Sequence, residues 1–139
     1  MNTNLTNAAG LAARILLALI FIMSGFGKIT GFSGTAAAIA SKGIPLPEVA
    51  TAIAIAIEFL GGLLLVMGWK ARWAAAAIFL FIIPTTVMFH NPGGLPPAEA
   101  QAQTIHLLKN LAIMGGMLMV FAFGPGGWSV DGRSERATR

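Results

Sequence analysis

PEVATAIAIAIEFLGGLLLVM, residues 47–67, decides the fold. Crossing about 30 Å of hydrocarbon at about 1.5 Å per residue takes roughly 20 apolar residues in a helix, and this stretch supplies them. Pro47 suits the first turn, where its missing amide hydrogen is not needed. Glu58 stands about ten residues in, hence roughly 15 Å from either surface at the helical rise, too deep for a carboxylate to reach water. A charge near the bilayer centre costs about 2.5 to 3.5 kcal/mol on insertion scales, so Glu58 requires a partner, a cavity or a task. Thr51, Ala54, Glu58, Gly61, Gly62 and Leu65 recur at three- and four-residue spacing. A face of small side chains marks helix contact in membranes, so Glu58 is expected to face a bundle interior and not lipid.

Three more apolar stretches surround this one, at residues 11–29, 71–89 and 104–123. Only residues 68–70 separate the second and third spans, which forces an antiparallel hairpin. Residues 32–40 are too short to cross and read as a helix lying at the membrane surface, started by Ser33 and stopped by Gly43 and Pro45. Residues 90–103 contain Asn91-Pro92-Gly93-Gly94 and Pro96-Pro97 and read as a turn-rich loop; residues 124–139 read as a soluble tail. The expected fold is all-α, a single-domain four-helix transmembrane bundle with one short interfacial helix.

Composition agrees. Of 139 residues, 56% are hydrophobic and only 10% charged, with a mean hydropathy of +0.78, too little charge to coat a water-facing surface. The net charge of +4 comes from dispersed residues that form no basic stripe, which argues against nucleic acid. The absence of cysteine excludes disulfides, thiolate metal sites and a dithiol relay on this chain. Residues 1–10 lack the Lys/Arg cluster that opens a secretory signal, so the first apolar run is expected to be retained. Arg14, Lys70, Arg72, Arg133, Arg136 and Arg139 fall on one side of the four spans, Lys28 and Lys42 on the other. Positive charge is retained inside, so both termini are expected in the cytoplasm, in a bacterial inner membrane. Trp69, Trp73 and Trp128 fall at that same surface, where indoles are comfortable.

Each span carries a polar stripe. Arg14, Ala18, Phe21, Gly25 and Lys28 share one side of the first. Arg72, Phe79, Ile83, Thr86 and His90 align on the third. His106, Asn110, Ile113 and Met117 align on the fourth, with Lys109 beside them. Converging stripes make a polar interior around Glu58, with His90, His106, Lys109 and Asn110 in its outer half. Arg14 and Lys109 are the expected counter-ions, by depth and side-chain length. Such a pair either locks helices together or forms a pocket whose acid can trade a proton. Pro84 frees a carbonyl within the third span and is expected to widen the bundle, with Thr85 and Thr86 nearby. His90 and His106 could ligate haem between facing helices, but their default is loop-end histidines hydrogen-bonded to backbone. No metal site is assigned.

Arg14, the Ser24-Gly25-Phe26-Gly27-Lys28 run, Ile57-Glu58-Phe59-Leu60-Gly61-Gly62, Met67-Gly68-Trp69-Lys70-Ala71-Arg72, Lys109-Asn110-Leu111 and Gly124-Pro125-Gly126-Gly127-Trp128-Ser129-Val130-Asp131 stand in an order and spacing that resembles the DoxX family of small four-span membrane proteins. The resemblance covers residues 14–131. It implies a membrane oxidoreductase, with relatives in thiosulfate:quinone oxidoreduction and in oxidative or thiol-stress complexes, and related animal bundles that act as chaperones or cargo adaptors.

Two functions compete. In the first, the chain is a quinone-linked redox component: Glu58 delivers protons with His106 or His90 as relay, and Arg14, Lys28, Lys109 and Asn110 hold a quinone oxygen or an anionic sulfur substrate. The cofactor is then quinone, and electrons, like any thiol chemistry, come from a redox partner protein or soluble thiol. In the second, the chain is a non-catalytic scaffold or assembly factor whose small faces, residues 74–77 and Gly115-Gly116, associate helices, homo-oligomers included. Transport is disfavoured, because four spans show no inverted repeat.

Overall fold

The computed structural model describes residues 3–137, apart from the side chains of Glu135 and Arg136. Four crossings follow one another. They are α1 (Thr3–Thr30), then a second span built from α3 (Pro47–Ile55), a π-helical turn (Ala56–Leu60) and α4 (Gly61–Met67), then α5 (Ala71–Phe89) and α6 (Pro97–Phe123). Each crossing is long and apolar enough to span a bilayer, and successive helices reverse direction, as in an up-down-up-down bundle. Large apolar side chains such as Leu16, Leu80, Val87 and Phe123 stay exposed on the outside, where lipid replaces water. The chain is an all-α integral membrane protein.

α2 (Phe32–Ser41) follows α1 and buries Ala36 and Ile39. The helices outrun the apolar stretches at two ends. α1 starts at Thr3 instead of residue 11, and α6 at Pro97 instead of residue 104. Hydropathy marks only the part of a helix inside hydrocarbon, while helix formation continues into water wherever residues such as Ala and Gln allow it.

The buried faces of the first two spans are those the spacing predicts: Arg14, Ala18, Phe21 and Gly25 on α1, and Thr51, Ala54, Glu58, Gly61, Gly62 and Leu65 on the second span. The third span differs. α5 buries Ala71, Ala74, Ala75, Ile78, Ile82 and Thr86, whereas Ile83 is 42% exposed and Arg72 lies on the surface. Of the aligned set only Thr86 is buried. Close packing selects the small alanines, and Arg72 needs no interior position because it donates to the carbonyls of Phe121 and Ala122 at the end of α6.

The residues after α6 are not a free tail. Asp131, at the start of α7 (Val130–Ala137), accepts from the amides of Lys70 at 2.9 Å and Ala71 at 3.0 Å, and its own amide donates to the Gly68 carbonyl at 2.9 Å. Lys70 precedes α5 with no side-chain acceptor of its own, so Asp131 supplies the cap from elsewhere in the chain. Residues 124–131 thus form a strap across this end, in which Ser129 is buried. Asp131→Ala is expected to lower stability by about 0.5 to 2 kcal/mol, the range for a lost helix cap, measured as thermal unfolding in detergent, with Asp131→Asn falling between.

The bundle therefore has a tail end, with Trp69, Trp73 and Trp128, Lys70, Arg72 and the strap, and an α2 end, with Lys42, the close of α5 and the start of α6. Arg133 belongs to α7 at the tail end; Arg139 and the Arg136 side chain lie outside the described residues.

Candidate functional site

Glu58 occupies the π-helical turn, in which the Gly61 amide reaches back five residues to the Ala56 carbonyl. Single π-turns inside α-helices recur at functional sites. The residue is 7% exposed, and its carboxylate meets two groups from α1. Ser24 Oγ donates to Oε1 at 3.0 Å, and Lys28 Nζ lies 2.8 Å from Oε2. That ammonium also donates to Ser24 Oγ at 2.7 Å. The ion pair therefore engages Oε2, itself buried, while Ser24 serves Oε1.

The counter-ion is Lys28, and neither Arg14 nor Lys109. Side-chain direction explains the correction. A helical side chain tilts toward the N-terminus of its own helix. On α1 this tilt turns Lys28, near the C-terminus, back toward the middle of the bilayer, and turns Arg14 outward to the tail end. On α6, which runs the opposite way, it sends Lys109 toward the α2 end. Glu58, on a span that also starts at the α2 end, leans toward Lys28.

Arg14 also lies outside this group. It is 2% exposed, and its Nη1 donates to the carbonyls of Leu65 at 3.2 Å and Val66 at 3.1 Å, its Nη2 to that of Trp128. Two of these carbonyls stand at the C-terminus of α4, where Leu65 also accepts from the Gly68 amide at 3.1 Å, and the third, that of Trp128, follows α6. Gly68 turns away from that helix end at φ +66°, and a Cβ there would collide with Arg14 Nη1.

A cavity of about 540 Å³ opens beside Glu58, within the size range of small-molecule sites. Phe21, Ile39, Ile53, Phe81, Ile82, Met88, Phe89 and Ile113 give it apolar walls. Ser24, Lys28 and Glu58 form one polar edge, and His90, Lys109 and Asn110 come from the α5–α6 side. Pro84 and Thr85 also line it, consistent with the expected widening at the proline; the Thr85 hydroxyl donates to the carbonyls of Phe81 and Ile82, both at 3.0 Å.

Asn110 Nδ2 donates to Thr86 Oγ1 at 2.8 Å and ties α6 to α5. The imidazoles of His90 and His106 stack with centroids 5.0 Å apart. Their hydrogen-bond partners are side chains, in contrast to the expected backbone: Gln103 Oε1 lies 3.0 Å from His90 Nδ1 and Lys109 Nζ 3.1 Å from His106 Nδ1. Of the seven expected site residues, Glu58, Lys28, His90, Lys109 and Asn110 share the cavity. His106 stands behind His90, and Arg14 is elsewhere. The expectation lacked Ser24, whose signal was its position one helical turn before Lys28.

What holds this geometry is contact between backbones. A Cβ on Gly25 would lie 2.7 Å from both the Cβ and the amide nitrogen of Phe59, next to Glu58. Gly25→Ala is therefore expected to push α1 off the π-turn and part Lys28 from Glu58. The effect should exceed that of Gly27→Ala, whose Cβ would meet nothing within 4 Å; thermal unfolding of the two variants makes the comparison.

The DoxX family model matches residues 9–91. The chain is 36% identical over 123 residues to inner membrane protein YphA of Escherichia coli (strain K12), covering 88% of each. It is 38% identical over 124 residues to inner membrane protein YqjF of the same organism, covering 87% of this chain and 88% of that protein. No solved structure matches it. A family match across most of the four-helix core, joined to two relatives of nearly full coverage, makes this chain a member of the DoxX family.

Proposed function

We propose that this chain is the quinone-binding membrane component of an oxidoreductase, acting in the bacterial cytoplasmic membrane with both termini in the cytoplasm. The observation that carries the reading is an acid, a hydroxyl and an ammonium gathered at the edge of an apolar cavity that also holds His90, Lys109 and Asn110. Such a cavity suits a flat apolar ring with oxygens at opposite ends. Reducing a quinone to a quinol takes two electrons and two protons. Glu58 supplies protons on one side and His90 on the other, while Lys28, Lys109 and Asn110 hold the ring oxygens. The chain shows no electron carrier of its own, so a partner protein or a sulfur donor delivers the electrons. The orientation rests on Lys70, Arg72 and Arg133 at the tail end, and the membrane on the two relatives, each named an inner membrane protein.

A scaffold remains the second reading, because Lys28 already neutralises Glu58 and the triad can serve as a helix lock without further chemistry. Glu58→Gln separates the two. The amide keeps the shape and loses the proton. Quinone binding and quinone-dependent turnover of the protein with its native partners are expected to be present in the wild type. In a well-folded Glu58→Gln variant, turnover should fall by about 10²-fold or more, the scale of a lost general acid. Wild-type protein that neither binds quinone nor turns it over with those partners leaves the scaffold as the reading.

A further inference from the structure

We infer that the cavity is a half-channel: water and protons reach Glu58 only from the α2 end of the bundle, through an entrance flanked by His90 and Lys109. Three observations meet here. The cavity reaches toward the α2 end as far as Thr35 and Ala38 of α2, Ile44 and His90, whereas its sides include Ile20, Ile53 and Met88, apolar residues exposed on the outside of the bundle, where lipid and not water stands. Toward the tail end it is stopped by a dry layer in which Ala18, Leu65, Ile78 and Met117 are each fully buried. These side chains carry no polar atom, and close-packed apolar interiors leave no room for a file of water. Finally, the titratable groups along the cavity stand on its open side. Lys28 touches Glu58, and Lys109 and the two imidazoles follow toward the surface. Arg14, a deep cation on the other side of the layer, has its donors on the carbonyls of Leu65, Val66 and Trp128 and does not point toward the cavity.

The consequence is direction. A reaction at Glu58 that consumes protons draws them from the face opposite the tail end, and one that releases protons returns them there. The inference rests on the cavity and its plug, not on quinone chemistry, so it stands or falls independently of turnover.

The chain has no cysteine, which makes it a ready background for introduced thiols. Ser24→Cys and Ala54→Cys place a thiol on the cavity wall. Lys42→Cys marks the α2 surface and Arg133→Cys the tail surface. Each full-length variant is purified, checked for a monodisperse profile, reconstituted in sealed vesicles of defined orientation and exposed on one side to a charged, membrane-impermeant methanethiosulfonate. The expected result is that Ser24→Cys and Ala54→Cys label from the side that labels Lys42→Cys, with labelling lost from the side that labels Arg133→Cys. Labelling of the cavity thiols from the Arg133 side overturns the inference. So does reaction with membrane-permeant N-ethylmaleimide alone, which would mean that the cavity opens only to lipid, and so does failure to react with either reagent. Two cavity positions guard against one variant failing to fold.

Discussion

Lys28→Met is expected to destabilise the protein by about 3 kcal/mol, and adding Glu58→Gln to it should restore most of the loss. Removing one member of a buried ion pair costs about 3 to 5 kcal/mol because the other charge stays buried without a partner. The lower end applies because the Lys28 side chain is 25% exposed, against 9% for Glu58. Ser24 continues to donate to Oε1 but is neutral and cannot balance a carboxylate, so in the single variant Glu58 must take up a proton or separate from α1. In the double variant a neutral amide faces a thioether and no charge is stranded. Thermal unfolding of wild type, both single variants and the double variant closes a double-mutant cycle. A coupling energy near zero would mean that Lys28 and Glu58 do not act as a pair in the membrane.

Arg14→Met should cost as much or more, about 3 kcal/mol or above, through a different mechanism. The carbonyls of Val66 and Trp128 lose the Arg14 donor and that of Leu65 keeps only the Gly68 amide at 3.1 Å, and each unsatisfied buried polar group costs about 1 to 3 kcal/mol. The losses do not simply add, since water can reach some of these groups at the helix end. Arg14→Lys should recover only part, because one ammonium cannot reproduce the planar fork that serves α4 and the strap together. Whatever fraction of either variant folds should bind a cavity ligand as the wild type does, since Arg14 does not line the cavity. A folded Arg14→Lys protein with lost ligand binding but unchanged melting temperature would return Arg14 to the substrate site.

The two cations on one face of α1 thus perform separate tasks. Lys28 completes the site, and Arg14 joins the second span to the strap. Arg72 repeats the Arg14 device on the other helix pair, donating to carbonyls at the close of α6, beside Gly124 at φ +81°. Arginine is suited to this use because its fork satisfies several carbonyls while its stem packs against apolar side chains. The strap adds Asp131, which caps α5. The tail end is consequently fastened by directional bonds between distant parts of the chain. At the α2 end, Asn110 with Thr86 and the contact of Lys42 with the Phe89 ring, 5.5 Å from its centroid, join separate segments.

Period and hydropathy are local properties, so residues 47–67 and 71–89 could be delimited from sequence, and the small face carrying Glu58 showed which side of the second span is buried. The sequence by itself determined that four helices cross a bilayer and that one acid among them must be enclosed. The partner of that acid was decided by tertiary structure, since three cations share the bundle and spacing ranks them only by depth. Antiparallel packing turns Lys28 inward and Arg14 and Lys109 outward, because each side chain tilts toward the start of its own helix. The strap and the π-turn were settled there too. Asp131 acts on a helix end some 60 positions earlier, and the π-turn lies where Gly25 brings α1 against Phe59, contacts that exist only once the helices have met.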